Sequence, residues 1–298
     1  MKDTHELSEY FLENITEMLS KKGVKTSGWQ EVALHHSPEM NARIAPRFAG
    51  VYCWSTIGKR DVVPYTVANE GYDVILCNVN NLYIDLAYNP HKDEPGLTWG
   101  GYVNEFTSFN ILPYNIYCSA RENTAGEKNN LKTAGKGKIQ LTEQSRPRIK
   151  GVQAQLFSET IGSFDMVQYY VFPKIFGLVE RGWNAYPEWS PVPNDDKQAL
   201  YEKARAIYNA KIAEIELPRL AADGFNFRVA QPGIKIVEGK LYANSPIPQA
   251  EIRYTTDGSE PTATSTLWEA PVDCSATVVK AKLFYLGKES HTTDYKND

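Results

Sequence analysis

Tyr83 and Asp85 stand one residue apart in an apolar run, Leu82-Tyr83-Ile84-Asp85-Leu86, and Trp99 follows in a loop that ends on Gly100 and Gly101. If residues 74–86 are extended, side chains two apart leave the same face, so a phenol and a carboxylate converge. The run breaks at Asn89-Pro90 into a segment rich in Pro, Gly and charge, and that segment returns the tryptophan. An indole beside a hydroxyl and a carboxylate suits a sugar: the ring stacks on the apolar face while the polar pair takes hydroxyls or an amide. The same residues also suit a core tyrosine, a turn-starting aspartate and a gap-filling tryptophan, and the stretch alone does not choose.

The elements that must position these residues favour the first alternative. Residues 3–23 are expected to form a helix with Asp3 and Glu6 at its start, an apolar stripe of Leu7, Tyr10, Phe11, Ile15, Met18 and Leu19, and a stop at Lys21-Lys22-Gly23. Strand-like runs at 24–29, 50–54 and 72–78 follow, separated by short helix candidates at 43–48 and 65–71. Alternation of helix and strand is the pattern of a parallel sheet with right-handed crossovers. Each strand then ends in a residue able to face a ligand: Trp29, Trp54, Tyr83 with Asp85, and, after the run 149–157, Glu159. Ligand sites of parallel α/β sheets lie at those strand ends, so the recurrence points to a carbohydrate pocket.

Residues 119–138 carry no apolar period and are expected to form a mobile surface excursion. A helix is expected over 164–183, kinked at Pro173. Another is expected over 194–215, capped by Asn194 and striped by Leu200, Ala204, Ile207, Tyr208, Ile212 and Ile215. Gln231-Pro232-Gly233 marks a boundary, because the period changes to two beyond it: Ile252 and Tyr254, then Val279, Ala281, Leu283 and Tyr285, alternate with polar residues. The organisation expected is therefore a larger α/β part over 1–230 and a small antiparallel β domain over 231–298.

Composition narrows the function classes. The 298 residues are 42% hydrophobic and 23% charged with a net charge of -4, which disfavours nucleic acid as a partner. Aromatic residues make up 12%, including 18 Tyr and 6 Trp, which leans toward a stacking surface. No apolar run reaches the length of a membrane span, and the charged start MKDTHELSEY lacks the core of a signal peptide. Cys53, Cys77, Cys118 and Cys274 are scattered without a CxxC, so buried free thiols are expected rather than a zinc site or a disulfide framework. Nothing suggests a metal or other cofactor.

Read together, several segments resemble successive motifs of glycoside hydrolase family 20, the β-N-acetylhexosaminidases: GWQE at 28–31, VYCW at 51–54, YIDL at 83–86, EPGLTWGG at 94–101 and GVQAQLFSE at 151–159. FPKIFGLVERGW at 172–183 resembles the helix after the last barrel strand, and ANSPIPQAEIRYTTDGSEPT resembles the small β domain that follows some of these barrels. The resemblance implies the second half of a (β/α)8 TIM barrel followed by a small antiparallel β-sandwich-like domain. It implies a pocket for N-acetylglucosamine or N-acetylgalactosamine glycosides walled by Trp29, Trp54 and Trp99. Tyr83 would donate to the acetamido oxygen, which is the nucleophile in this substrate-assisted, retaining chemistry, and Asp85 and Glu159 would hold hydroxyls. Export to the periplasm or the exterior is implied by the family alone.

The chain departs from the family pattern in four places. Phe157 stands where tryptophan is usual and Gln30 where aspartate is common, and the polar excursion is unusual. The Asp-Glu pair that orients the amide and protonates the leaving group is missing. Only Asp93-Glu94 offers that dipeptide, without the glycines of the motif, and Asp93 is expected to be a solvated loop residue. The chain is thus expected to be inactive alone, with the open barrel faces covered by the missing N-terminal half or by a second copy. A non-catalytic N-acetyl-sugar-binding protein is the alternative, and a complete enzyme recruiting Asp93 and Glu94 is the weakest reading.

Overall fold

A computed structural model of the chain describes residues 4–123 and 126–296, and within them the polypeptide folds as two compact units. The first comprises 1–88, 97–158 and 174–201, and the second 89–96, 159–173 and 202–298.

In the first unit α1 (Thr4–Lys21) leads into β1 (Thr26–Trp29), and α2 (Pro38–Ile44) leads into β2 (Phe48–Cys53). After α3 (Val63–Asn69) comes β3 (Val74–Leu76), then the single turn α4 (Val79–Leu82), α5 (Glu105–Phe109) and β4 (Ile149–Val152). The four strands lie in the order β1-β2-β3-β4, every pair parallel, as the alternation of elements predicts. Val51, Cys53, Val74 and Leu76 are fully buried, which explains why these strands read as short apolar runs rather than alternating ones. Ile44, Val67, Tyr65 and Tyr72 from the crossovers complete the core.

Several expectations are corrected here. Residues 74–86 are not one strand: β3 ends at Leu76, and α4 intervenes before Tyr83 bridges Gln155. The α1 stripe does not face the core, since Leu7, Tyr10, Phe11 and Met18 are exposed while Thr16 is buried and Leu12 packs inward. Arg47 decides this by donating to the Glu13 carbonyl at 3.1 Å and to Thr16 Oγ1 at 3.3 Å. Asp3 lies outside the described residues. The polar excursion is tied back: Leu131 is buried, Cys118 Sγ donates to its carbonyl, and Lys138 pairs with Asp61 at 2.5 Å; residues 124 and 125 lie outside the described ones.

The expected helix over 164–183 is two, α6 (Phe164–Val171) and α7 (Lys174–Trp183). Phe172 is extended, as a residue preceding proline prefers, and the Phe172–Pro173 bond is cis. The next helix, α8 (Gln198–Lys211), starts after Asn194, which has φ +67° and is no cap. It continues through a π-helical turn at Ile212–Glu216 into α9 (Leu217–Ala222). Its buried side is Tyr201, Tyr208 and Ile212, with Leu200, Ile207 and Ile215 exposed.

The second unit is dominated by antiparallel strands. A three-stranded sheet joins β5 (Gly233–Val237), β6 (Lys240–Asn244) and β9 (Val272–Asp273). The other sheet joins β7 (Glu251–Thr255), β8 (Thr266–Leu267), β10 (Val278–Tyr285), β11 (Lys288–Glu289) and β12 (Thr293–Lys296). Along β10 the expected alternation holds, with Val279, Ala281, Leu283 and Tyr285 all buried. Leu241, Cys274 and Val279 form the core from both sheets.

Candidate functional site

The ends of the parallel strands gather one aromatic cluster centred on Tyr83. Its ring centroid lies 6.3 Å from Trp54, 5.8 Å from Trp99 and 5.5 Å from Phe157. Trp54 and Trp99 meet edge to face at 6.1 Å, and Phe157 reaches Trp29 at 6.4 Å. Tyr83 is 5% exposed, whereas Trp29, Phe157 and Trp99 are 40%, 38% and 53% exposed. A buried phenol inside a ring of solvent-facing aromatic surface is an arrangement that binding sites require and cores do not.

Local sequence explains how each side chain arrives. At the end of β1, Gln30 Oε1 accepts the backbone N–H groups of Trp54 at 3.0 Å and Ser55 at 3.1 Å, locking the turn after β2 onto the turn after β1. Trp54 is oriented further by its indole N–H, which donates to Glu31 Oε1 at 3.1 Å. Thus the Gln30 departure still serves the site, as a positioning group. Tyr83 is pinned to the chain beyond β4, because Ile84 N donates to the Gln155 carbonyl at 2.9 Å and Gln155 N to that of Leu82 at 2.8 Å. Trp99 is delivered by Gly100, whose missing Cβ leaves room for Val79 and Leu86, and by Gly101 at φ +97°.

Asp85 is buried at 5% exposure beside this cluster. Burial raises the Tyr83 pKa above its ordinary value, helped by the negative charges of Asp85 and Glu31, so the phenol is a hydrogen-bond donor throughout the neutral range. Stacking walls, one O–H donor and one buried carboxylate can hold a pyranose with a polar substituent. Glu159 is exposed at the start of a turn two residues beyond Phe157, and its segment belongs to the second unit. Sequence reasoning missed Lys174, whose buried ammonium donates to the carbonyls of Ile84 and Leu86. Its only signal was a lysine interrupting the apolar run FPKIFGLV.

Asp93 and Glu94 are placed otherwise than a catalytic pair requires. The Asp93 side chain is exposed, as expected of a loop residue, and the Glu94 carboxylate is enclosed within the second unit. Arg228 grips it through Nε and Nη2, and the Tyr169 hydroxyl donates to it at 2.8 Å. The weakest reading is therefore corrected: Glu94 is committed to an ion pair. A cavity of about 370 Å³ in this unit is lined by His91, Tyr169, Lys280 and His291 among others. Among the described residues no group of three or more His, Cys, Asp or Glu is placed to hold a metal ion, and no helix is long and apolar enough to cross a membrane. The four cysteines are buried and free, as expected.

Comparison with known proteins matches two stretches of the chain to family models. Residues 1–186 match the model of the glycosyl hydrolase family 20 catalytic domain, and residues 216–291 match that of the chitobiase/beta-hexosaminidase C-terminal domain. The N,N'-diacetylchitobiase of Vibrio harveyi is 28% identical over 273 residues, which cover 86% of this chain and 29% of that protein. The beta-hexosaminidase of Vibrio vulnificus is 24% identical over 278 residues, covering 87% of this chain and 32% of that one. The solved exo beta-N-acetylglucosaminidase from Vibrio harveyi in complex with N-acetylglucosamine shares the fold with a TM-score of 0.50 and 21% identity, over 76% of this chain and 28% of that one. The chain thus spans about a third or less of the length of these relatives.

Proposed function

Because the chain belongs to glycosyl hydrolase family 20, we propose that it supplies the sugar-gripping part of a hydrolase acting on terminal non-reducing N-acetyl-β-hexosamine residues. The observation that carries this reading is the convergence of Trp29, Trp54, Trp99 and Phe157 around the buried Tyr83 with Asp85 beside it. In this assignment the aromatic rings wall the sugar, Tyr83 donates to the acetamido oxygen, and Asp85 takes a hydroxyl. The substrate's own amide is the nucleophile, so the protein's task is to curl that amide toward the anomeric carbon and to protonate the leaving oxygen. The names of the relatives, a diacetylchitobiase and an enzyme complexed with N-acetylglucosamine, favour the gluco sugar.

The four parallel strands are assigned to the second half of a (β/α)8 barrel within 1–230, and the two antiparallel sheets to a sandwich-like domain within 231–298. Two features support the half-barrel assignment. β1 and β4 are both edges of the sheet; α7, which packs on β4, exposes Val179 and Trp183, and α1, which leads into β1, exposes Tyr10 and Phe11. Open strand edges flanked by exposed apolar side chains call for a cover. The polypeptide that provides it is assigned the acid pair as well, so this stretch by itself binds sugar without turnover. The same reading assigns it to the periplasm or the exterior, by family resemblance.

The test is chromophore release from an aryl N-acetyl-β-glucosaminide by the purified chain, alone and with a supplied N-terminal half. Activity only after complementation is expected. Sugar binding without activity in a demonstrated complex would replace the hydrolase with an N-acetyl-sugar-binding protein.

A further inference from the structure

Lys174 opens α7, far in sequence from the aromatic cluster, yet its side chain is completely buried in the same unit as Tyr83 and Asp85. Its ammonium donates to the carbonyl of Ile84 at 2.8 Å and to that of Leu86 at 2.6 Å, and sits 3.7 Å from the centroid of the Tyr88 ring. Its own carbonyl accepts from Ser108 Oγ at 2.6 Å, so the helix start that carries it is tied to α5. Removing an ammonium from water is costly, and an apolar side chain of similar length would fill the same space without that cost. What an apolar side chain lacks is the ability to hold two carbonyls at once.

Those two carbonyls bracket Asp85. One belongs to the peptide that enters it, the other to the peptide beyond Leu86. Ile84 N is in turn held by the Gln155 carbonyl at 2.9 Å. The peptide between Ile84 and Asp85 is therefore in a segment gripped both by β4's continuation and by Lys174. Along this stretch the backbone is neither α-helix nor regular strand, so no ladder of its own fixes the directions in which Tyr83 and Asp85 project. One turn hydrogen bond, from Leu86 N to the Tyr83 carbonyl at 3.1 Å, closes the segment, and side-chain and bridging contacts do the rest.

We propose that Lys174 is a positioning residue of the sugar site, clamping the backbone on both sides of Asp85 so that its carboxylate meets one particular sugar hydroxyl. This rests on the sugar-binding reading above. It makes hydroxyl discrimination, rather than stacking, the property that Lys174 controls.

Two measurements on the full chain test it. Binding of N-acetylglucosamine and its monodeoxy analogues is followed by tryptophan fluorescence for the parent, Lys174→Met, Lys174→Arg and Asp85→Asn. Amide hydrogen exchange is followed over 82–87 and over β1 and β2. The Met variant is expected to bind the parent sugar about tenfold more weakly and to lose discrimination against the same deoxy sugar as Asp85→Asn. The Arg variant, which keeps charge and donors, should recover part of it and carries the test if the Met variant does not fold. Exchange should quicken over 82–87 alone. A uniform loss of affinity for every analogue, or exchange that rises equally in β1 and β2, would overturn the clamp and leave Lys174 a general stabiliser. Absence of any sugar binding by the parent with exchange that still quickens only over 82–87 would overturn the sugar-binding reading, and with it the assigned role, while locating the clamp.

Discussion

Glu94 and Arg228, 134 residues apart in the chain, form a closed ion pair: Nε and Nη2 of the guanidinium lie 3.1 Å and 3.0 Å from one carboxylate oxygen, and neither side chain is more than 5% exposed. Tyr169 completes the carboxylate's coordination from α6. A pair this enclosed matters less for what it contributes than for what is stranded when one partner goes. Replacing Arg228 with Met should destabilise the second unit by about 3 to 5 kcal/mol, read as a lower urea midpoint. Glu94→Gln, which can still hydrogen-bond, should cost less.

His291 stacks on His91 with ring centroids 5.0 Å apart, and burial lowers its pKa below the ordinary 6.5 in spite of the opposing Glu94 charge. A histidine held neutral in the fold contributes stability that is complete above the unfolded value and is lost as pH falls from about 6.5 toward the folded value, because the unfolded chain takes the proton first. The thermal midpoint should therefore drop between pH 7.5 and pH 5.5. His291→Phe should flatten that drop, and an unchanged slope would remove His291 from the account.

Tyr83→Phe keeps the ring that Trp54, Trp99 and Phe157 surround while deleting the donor. N-acetylglucosamine should bind about five- to tenfold more weakly with little change in the unfolding midpoint. Trp99→Ala, which removes an exposed wall, should weaken binding of sugars with and without the acetamido group alike. The contrast is read by calorimetric titration.

Gly177 on α7 faces α5 so closely that an added Cβ would overlap Ser108 Oγ and the Phe109 backbone nitrogen. Gly177→Ala should therefore cost about 1 to 3 kcal/mol, against the gain that alanine normally brings to a helix interior. A denaturant titration giving a more stable variant would show that the two helices can move apart.

Burial pushes the Cys77 thiol up to about 12 and raises those of Cys53 and Cys118 as well. The native chain should react negligibly with an aromatic disulfide reagent at neutral pH, and all four cysteines should titrate once it is unfolded.

Much of the site could be read from residue order. Short apolar runs separated by helix signals imply parallel strands, and strand-end tryptophans imply a shared face. The period of two along β10 identified its buried residues one by one. Local pattern failed where a neighbour made the choice. The apolar stripe of α1 was visible, but Arg47, bonded to Glu13 and Thr16, turned another face inward. The run 74–86 is apolar toward both ends with Asn78, Asn80 and Asn81 between, and a mixed run of this kind does not reveal where a strand gives way to a helical turn.

The sequence by itself therefore determined which chemical groups were present, their order along the chain and the parallel sense of the strands, because spacing and period follow from local backbone geometry. Tertiary structure alone decided that Phe157 would touch both Tyr83 and Trp29, that Lys174 would reach the carbonyls beside Asp85, and that Glu94 would be given to Arg228. Each of those depends on contacts between segments distant in the chain, and a long-range contact leaves no periodic trace in either partner.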